Sequence, residues 1–183
     1  MGESDGLVKE LNGGFRVEKA GLNKVDEVWS VIKKCSDWLF AEKKLDHWAE
    51  YYTREVIEKK IKGQEVFLVI RDGVTFGTIT LDENPVEYYT EENLACFAEP
   101  KEKAIYVSAV AVDPEFQGRG VATQLMDLAD EIVKQRGIKY IRFDCRAEYA
   151  DLVNFYEKRG YSKRGSFSEG ERQNYFLMEK EVG

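Results

Sequence analysis

The spacing of apolar residues in the first third of the chain predicts one strand followed by two helices. Residues 15–19 alternate between apolar and polar side chains, as a half-buried strand does. Apolar residues then recur every three or four positions over residues 22–39, which predicts an amphipathic helix with Asn23 as its cap. A second helix is predicted to begin after Thr53 and to end at Gly63.

The middle of the chain predicts strands on either side of an acidic segment. Residues 65–81 form two apolar runs around Asp72-Gly73, a dipeptide that is typical of hairpin turns. Residues 82–103 are polar and acidic without a clear period, so we expect an irregular segment there. The run at residues 105–112 is almost entirely apolar, which is typical of a central strand buried on both faces.

The last third of the chain predicts two helices and three strands. A helix is predicted over residues 121–136 and a strand over residues 138–145. Asp151 is a candidate cap for a short helix that Gly160 ends. Two closing strands are predicted at residues 162–168 and 173–181.

This order of elements predicts a mixed α/β fold. Residues 105–145 make one βαβ unit, in which a helix joins two parallel strands. The other strands are arranged in a way that favours antiparallel pairing. We therefore expect a central, mostly antiparallel sheet flanked by helices, in a single domain over residues 15–183 that follows a flexible tail over residues 1–14.

Composition and charge exclude several classes of function. The chain has 183 residues, of which 43% are apolar and 33% charged, as in an ordinary soluble protein. Residues 1–100 hold 13 basic and 20 acidic side chains, and this difference equals the whole net charge of −7. Nucleic acid is not an expected partner, because phosphate binding requires a basic face. A membrane is not expected either, because the apolar runs are too short to span a bilayer.

The cysteines and the N-terminus predict a cytoplasmic protein. Cys35, Cys96 and Cys145 are far apart, odd in number and outside any CxxC motif, which favours free thiols in a reducing compartment. The first residues lack the apolar core of a signal peptide. We expect no bound metal.

The segment Gln117-Gly118-Arg119-Gly120, between the apolar strand and the next helix, predicts an anion site. The start of a helix offers unpaired N–H groups and a partial positive charge, and glycines leave those groups open to a ligand. Arg119 adds a formal charge. Taken alone, the same glycines favour a tight strand-to-helix turn that needs positive φ over an anion site.

Two common nucleotide-binding motifs do not account for this segment. A P-loop requires GxxxxGK followed by Ser or Thr, which the chain lacks. A dinucleotide fold requires GxGxxG, but Thr123 occupies the sixth position. Asp144 ends the following strand where a ribose-binding acid would be expected, yet only 39 residues remain after it, too few for the rest of such a fold.

A third interpretation covers more of the chain. Gln117 to Ala122 match the Q/R-x-x-G-x-G/A signature of the GNAT superfamily of N-acetyltransferases, and the preceding strand resembles the central strand of that family. The later stretch LVNFYEKRGY, residues 152–161, resembles the family's second signature. The resemblance implies a GNAT-like fold, an acetyl-CoA site and acyl transfer to an amine. Acetyl-CoA and a small amine acceptor are therefore the expected partners, and a homodimer is left open.

The resemblance also implies roles for particular residues. Backbone groups of Val110 and Val112 would pair with the pantetheine arm, and an N–H near Val110 would polarise the thioester carbonyl. Tyr156 matches the tyrosine that protonates the departing thiolate in many members. The alternative for Tyr156 is a core aromatic residue. The implied cofactor-binding residues are Val110, Val112, Gln117, Gly118, Arg119, Gly120, Val121 and Ala122.

The chain departs from the family pattern at two positions, and the acceptor side is less well defined. Tyr149 stands where many members carry a cofactor-contacting Asn, and Ser108 is a poor base where many carry His or Glu. Candidate acceptor-site residues are Trp48, Glu83 and Glu87, with His47 as a further candidate base. The acidic segment could attract a cationic amine or be a solvated loop.

Two hypotheses about function remain. The first is an acetyl-CoA-dependent N-acetyltransferase in which the amine attacks the thioester directly in a ternary complex, because no Cys or Ser lies in a nucleophile motif. The second is a domain of the same fold that binds or senses acyl-CoA without catalysis, which the missing Asn and the absence of an obvious base favour.

Overall fold

The strands and helices lie close to their predicted positions in the computed structural model, which describes residues 7–11, 14–170 and 173–183. The strands are β1 (Leu7–Leu11), β2 (Phe15–Lys19), β3 (Glu65–Arg71), β4 (Val74–Asp82), β5 (Ala104–Val112), β6 (Tyr140–Arg146), β7 (Ser162–Glu169) and β8 (Gln173–Glu181). The helices are α1 (Val25–Trp38), α2 (Arg54–Gly63), α3 (Glu91–Ala95), α4 (Val121–Gln135) and α5 (Ala150–Lys158). No helix within the described ranges is long and apolar enough to cross a membrane.

The strands of the described residues form one eight-stranded sheet in the order β1, β2, β3, β4, β5, β6, β8, β7. β5 and β6 are parallel, and α4 is the crossover between them. The pairs β1–β2, β2–β3, β3–β4, β6–β8 and β7–β8 are antiparallel. The predicted fold, a mixed and mostly antiparallel sheet flanked by helices with one βαβ unit, is therefore confirmed.

The N-terminal segment differs from the prediction. Residues 7–11, expected within a flexible tail, form β1 and pair with β2. Gly14 has a φ of 75°, which allows the chain to turn back between the two strands. The prediction of a tail is wrong for residues 7–11, while residues 1–6, 12 and 13 lie outside the described residues.

One of three predicted helix caps is found where the sequence placed it. Thr53 caps α2, and its hydroxyl accepts a hydrogen bond from a backbone N–H of the first turn at 3.3 Å. Asn23 lies instead inside a 3₁₀ turn before α1, and Asp151 lies in the first turn of α5, whose cap residue is Tyr149. These two predictions are wrong because polar residues favour several positions near a helix start, and the backbone decides which one is the cap.

The first compact unit comprises the described residues up to Leu81 together with Ala109–Leu128. In α1, Val28 and Ile32 on the apolar face are each 1% exposed, so the predicted amphipathic face is buried. Leu22, the first apolar residue of the predicted helical repeat, is 52% exposed because it precedes α1 in the 3₁₀ turn.

Gly77 in β4 determines how closely three elements of this unit approach one another. A methyl group at this position would lie 3.0 Å from the carbonyl oxygen of Ala111 in β5. The same methyl would lie 3.0 Å from Cγ1 of Val121 and 3.2 Å from Cδ1 of Leu125, both in the first half of α4. A side chain here would require these neighbours to move by a few tenths of an ångström, so Gly77 helps to fix where α4 begins relative to the end of β5.

The second compact unit comprises Asp82–Ser108 and Ala129–Gly183, and a buried ion pair holds its acidic segment in place. Nε of Arg142 in β6 donates to Glu179 in β8 at 2.8 Å, and both side chains are fully buried. Arg142 also donates to the backbone carbonyls of Glu99 and Glu102. The segment predicted as irregular is therefore anchored, and it contains the short helix α3, which was not predicted.

Gly77→Ala should lower the free energy of unfolding by about 1 to 3 kcal/mol, because the added methyl forces a backbone carbonyl or two packed side chains to move. Gly63→Ala is the matched control, since a methyl there meets no atom within 4 Å. Its expected effect is neutral or stabilising by up to about 1 kcal/mol, because alanine favours a helix more than glycine. Urea unfolding followed by circular dichroism compares the three proteins. A Gly77→Ala protein as stable as the wild type would contradict the close contact.

Candidate functional site

The chain leaves β5 through a turn that is held by Asp113. The backbone N–H of Asp113 donates to the carbonyl of Phe76 at 2.9 Å, and its carboxylate accepts from the N–H of Glu115 at 3.1 Å. Nζ of Lys34 in α1 donates to the same carboxylate at 2.6 Å, which raises the pKa of Lys34. Since Asp113 is only 2% exposed, these contacts fix the exit from β5 firmly.

The two glycines of the predicted anion site both have backbone conformations that favour glycine. Gly118 has a φ of 72° and Gly120 a φ of 81°, whereas Arg119 between them is not among the positive-φ residues. Left-handed residues also occur in anion-binding nests, in which successive N–H groups point toward a common side. A methyl group added to either glycine would meet no atom within 4 Å. The space beside this backbone is therefore open.

The first turn of α4 adds further hydrogen-bond donors. The N–H of Gln124 donates to the carbonyl of Gly120 at 3.0 Å, so the helical hydrogen-bond ladder begins there. The N–H groups of Val121, Ala122 and Thr123 precede that bond and have no carbonyl within the helix to pair with. An oxyanion beside the glycines would meet these donors and the positive end of the helix. The residues present thus fit a diphosphate group.

A cavity of about 200 Å³ lies beside this turn within the first unit. Arg71 and Arg119 line it together with aromatic rings, and the Arg119 guanidinium carbon lies 5.3 Å from the ring centre of Phe116. The Arg71 guanidinium carbon lies 4.5 Å from the ring centre of Phe15. The two positive charges reinforce the preference of this region for an anion. Sequence patterns did not identify Arg71 and Phe15, because β2 and β3 bring them here from distant positions.

β5 contains a local irregularity just before Val110. Ala109 has a φ of 51°, in the left-handed region, which costs a residue other than glycine roughly 1 kcal/mol or more. Such a residue bends a strand and redirects the backbone groups that follow it. Val110 and Val112, the residues expected to pair with an extended ligand, follow this bend.

Tyr156 lies in α5, in the second unit, and is 5% exposed. Its ring centre lies 4.5 Å from that of Phe143 and 5.9 Å from that of Tyr161. The side chain is thus an aromatic core residue by its packing. This environment is compatible with both interpretations, because a phenol that packs through its ring can still donate from its hydroxyl.

The residues expected at the acceptor site lie in different parts of the chain. Trp48 is in the first unit, with its ring 5.1 Å from that of Tyr52. Glu83 and Glu87 are exposed in the second unit, and Glu83 accepts a hydrogen bond from Arg136 at 3.4 Å.

The second unit contains a carboxylate, Asp144, for which no role was predicted from the sequence. Asp144 in β6 accepts hydrogen bonds from the hydroxyls of Tyr88 at 2.8 Å and Tyr89 at 2.7 Å. Burial raises the pKa of Asp144, and the two phenolic donors oppose that rise. Burial and the neighbouring charge of Asp144 raise the pKa of Tyr89 well above its ordinary value.

Two of the cysteine thiols are unsuited to act as nucleophiles. Burial raises the pKa of Cys35 to about 11 and that of Cys145 to about 12. Both thiols are therefore protonated at neutral pH, while the nucleophile in thiol catalysis is the thiolate.

Known proteins resemble this chain over most of its length. The sequence model of the acetyltransferase (GNAT) family matches residues 27–161, which is more than half of the chain. An uncharacterised N-acetyltransferase of Methanocaldococcus jannaschii is 24% identical over 148 residues, which cover 81% of this chain and 59% of that protein. The uncharacterised N-acetyltransferase YesJ of Bacillus subtilis is 23% identical over 172 residues, which cover 92% of this chain and 91% of that protein.

A solved structure supports the likeness in fold. The PaiA N-acetyltransferase from Thermoplasma acidophilum, in complex with coenzyme A, superposes with a TM-score of 0.68 at 17% identity. The match covers 91% of this chain and 98% of that chain.

Proposed function

The chain belongs to the acetyltransferase (GNAT) family, and we propose that it moves an acetyl group from acetyl-CoA to a primary amine of a small molecule or peptide. The family that the two short motifs predicted is thereby confirmed. The observation that carries the proposal is the open turn at Gly118 and Gly120. The first amides of α4 lie beside it and have no carbonyl partner within the helix.

In the proposed complex, the diphosphate of acetyl-CoA lies against the backbone amides from Gln117 to Ala122. The hydrogen-bond donors in this arrangement belong to the backbone. It therefore requires glycine at two positions but no particular side chain elsewhere. Arg119 contributes a charge, and Arg71 in the adjacent cavity adds to the positive potential.

The reacting end of acetyl-CoA is proposed to lie along β5. Backbone groups of Val110 and Val112 would hold the pantetheine arm as a strand holds its neighbour. A backbone N–H near Val110 would stabilise the negative charge that develops on the thioester oxygen, an interaction worth roughly 3 to 4 kcal/mol. The bend at Ala109 supports this role, because it redirects the amides that follow.

The transfer itself requires a neutral amine and a protonated leaving group. The amine nitrogen forms a bond to the carbonyl carbon, the carbon–sulfur bond breaks, and the amine loses a proton. Deprotonating a lysine-type amine at pH 7 costs roughly 4 to 5 kcal/mol, whereas an α-amine costs only about 1 kcal/mol. We propose Tyr156 as the donor that protonates the departing thiolate, since a phenol with an ordinary pKa of about 10 holds its proton at neutral pH.

Direct attack by the amine is favoured over a covalent acyl-enzyme. The thiols of Cys35 and Cys145 have raised pKa values, and no other residue lies in a nucleophile motif. We place the enzyme in the cytoplasm on the basis of its free cysteines.

The test of the proposed function is release of free thiol from acetyl-CoA across a panel of amines that includes polyamines, aminoglycosides, amino acids and peptides with free N-termini. Calorimetric titration with acetyl-CoA is run in parallel. Thiol release with at least one amine class is the expected result. Tight binding of acetyl-CoA without thiol release on any amine would contradict catalysis and favour the acyl-CoA-binding domain instead.

Gly120→Glu should abolish detectable binding of acetyl-CoA, because the new carboxylate would lie beside the amides that are proposed to hold the diphosphate. Gly137→Glu is the matched control, since Gly137 also has positive φ, at 63°, and open space around it, but follows the other end of α4. It carries the same charge and a similar backbone strain, so its affinity for acetyl-CoA should stay within about threefold of wild type. Equal loss of affinity in both variants would show that the effect is not specific to the glycine turn.

Tyr156→Phe should lower kcat about 100-fold or more while the affinity for acetyl-CoA changes little, because only the proton donor is removed. Tyr161→Phe is the control, since Tyr161 is equally buried and also packs against Phe143, with ring centres 4.8 Å apart. Its kcat should stay close to wild type. Full turnover by the Tyr156→Phe protein would remove Tyr156 from the mechanism and leave it as a core residue.

A further inference from the structure

Asp144 in β6 is surrounded by hydrogen-bond donors and aromatic rings of the second unit. The hydroxyls of Tyr88 and Tyr89 both donate to the same carboxylate oxygen, Oδ2, at 2.8 Å and 2.7 Å. Tyr88 and Tyr89 belong to the acidic segment, 55 or more positions away in sequence. The fold therefore assembles this group from parts of the chain that are distant in sequence.

Asp144 has no cationic partner among the residues that the structure describes. The arginines two positions before and after it in β6 are both engaged with other carboxylates. Nε of Arg142 donates to Glu179 at 2.8 Å, and Nε of Arg146 donates to Glu148 at 3.0 Å. The segment that supplies the two tyrosines contains no Lys or Arg from residue 72 to residue 100. Removing a charged carboxylate from water without a cationic partner costs free energy. A ligand that carries a positive charge would offset this cost.

The aromatic rings around Asp144 are suited to a cation as well. The ring centre of Phe167 lies 6.3 Å from that of Tyr88 and 6.1 Å from that of Tyr89, and the two tyrosine rings are 5.4 Å apart. The faces of such rings attract ammonium groups through the negative side of the ring quadrupole. Tyr88 is 48% exposed, so the cluster is accessible from solvent on that side.

The hydrogen-bond pattern distinguishes between possible cations. Oδ2 already accepts two hydrogen bonds, so a planar guanidinium could not bind both carboxylate oxygens in the bidentate manner it prefers. A divalent metal requires several oxygen ligands, and the described residues contain no group of three or more metal-ligating side chains. A compact ammonium group, which needs only one carboxylate oxygen and can contact ring faces, fits best.

We propose that Asp144, with Tyr88, Tyr89 and Phe167, binds an aliphatic ammonium group, and that this group belongs to the acceptor. The second part rests on the proposed transfer reaction, while the first part stands on the cluster alone. Asp144 is thus a specificity-determining residue that selects acceptors carrying a positive charge.

Direct binding tests the proposal without requiring turnover. The full chain is titrated calorimetrically with 1,4-diaminobutane and with 1,4-butanediol, its neutral counterpart. We expect binding of the diamine and none of the diol. Asp144→Asn, which keeps the shape and removes the charge, should weaken diamine binding about 10-fold or more. Undiminished affinity of the Asp144→Asn protein for the diamine, or equal binding of the diol by the wild type, would overturn the proposal.

Two further variants guard against indirect effects. Glu91→Gln removes the same charge from an exposed position in the same acidic segment, and its diamine affinity should stay within about twofold of wild type. Tyr88→Ala removes one ring face at an exposed position and should weaken diamine binding about threefold or more, even if Asp144→Asn does not fold. A Glu91→Gln effect as large as that of Asp144→Asn, or no effect of Tyr88→Ala, would contradict a localised site.

Measurements on the wild type and the Asp144→Asn protein distinguish the ammonium site from the proposed acetyl transfer. A wild type that binds the diamine through Asp144 but releases no thiol from acetyl-CoA would leave the cation site standing and remove the catalysis. A wild type that acetylates amines with the same KM as the Asp144→Asn protein would leave the catalysis standing and overturn the cation site. Affinity for acetyl-CoA should be equal in the two proteins.

Discussion

The structure depends on the turn between β5 and α4, where a helix begins with amide groups that no carbonyl of the helix itself can pair with. Between β5 and α4, glycines at 118 and 120 adopt positive φ, and no side chain fills the space beside them. The hydrogen bond of Asp113 and the close contact at Gly77 fix the chain on either side of this turn. Donors held in this way would need little reorganisation when an anion binds, which supports the proposed diphosphate site.

Contacts between residues that are close in the sequence could be predicted, and contacts between distant residues could not. The central strand, the glycine turn and the start of α4 occupy one short stretch, so their pattern is visible in the sequence itself. The contact at Gly77 joins this residue to Ala111, Val121 and Leu125, and a single sequence gives no signal for it. Similarly, Lys34 reaches Asp113 across 79 positions. The strand β1 was missed for a related reason, because its pairing with β2 is a tertiary contact.

The buried polar groups of the second unit show a division of roles that the sequence did not reveal. Arg142 and Glu179 are fully buried and satisfy each other, with backbone carbonyls taking the remaining donors of Arg142. Such a pair holds the acidic segment in position, and removing one partner would leave a buried charge. Asp144, on the same strand, accepts hydrogen bonds from two phenols. Phenols are neutral donors, so they leave the negative charge of Asp144 available to the proposed ammonium ligand.

The two proposed recognition sites differ in how strongly they depend on side-chain identity. An anion bound by backbone amides requires glycines and a helix start, and such a site survives wide changes elsewhere in the sequence. Relatives at 23% and 24% identity can therefore share it. A cation bound by Asp144 and three aromatic rings requires four particular side chains drawn from β6, β7 and the acidic segment. Because most positions differ at such identities, the acceptor of a relative is a weak guide to the acceptor of this chain. The physical environment of Asp144 is therefore the more direct evidence about the proposed acceptor.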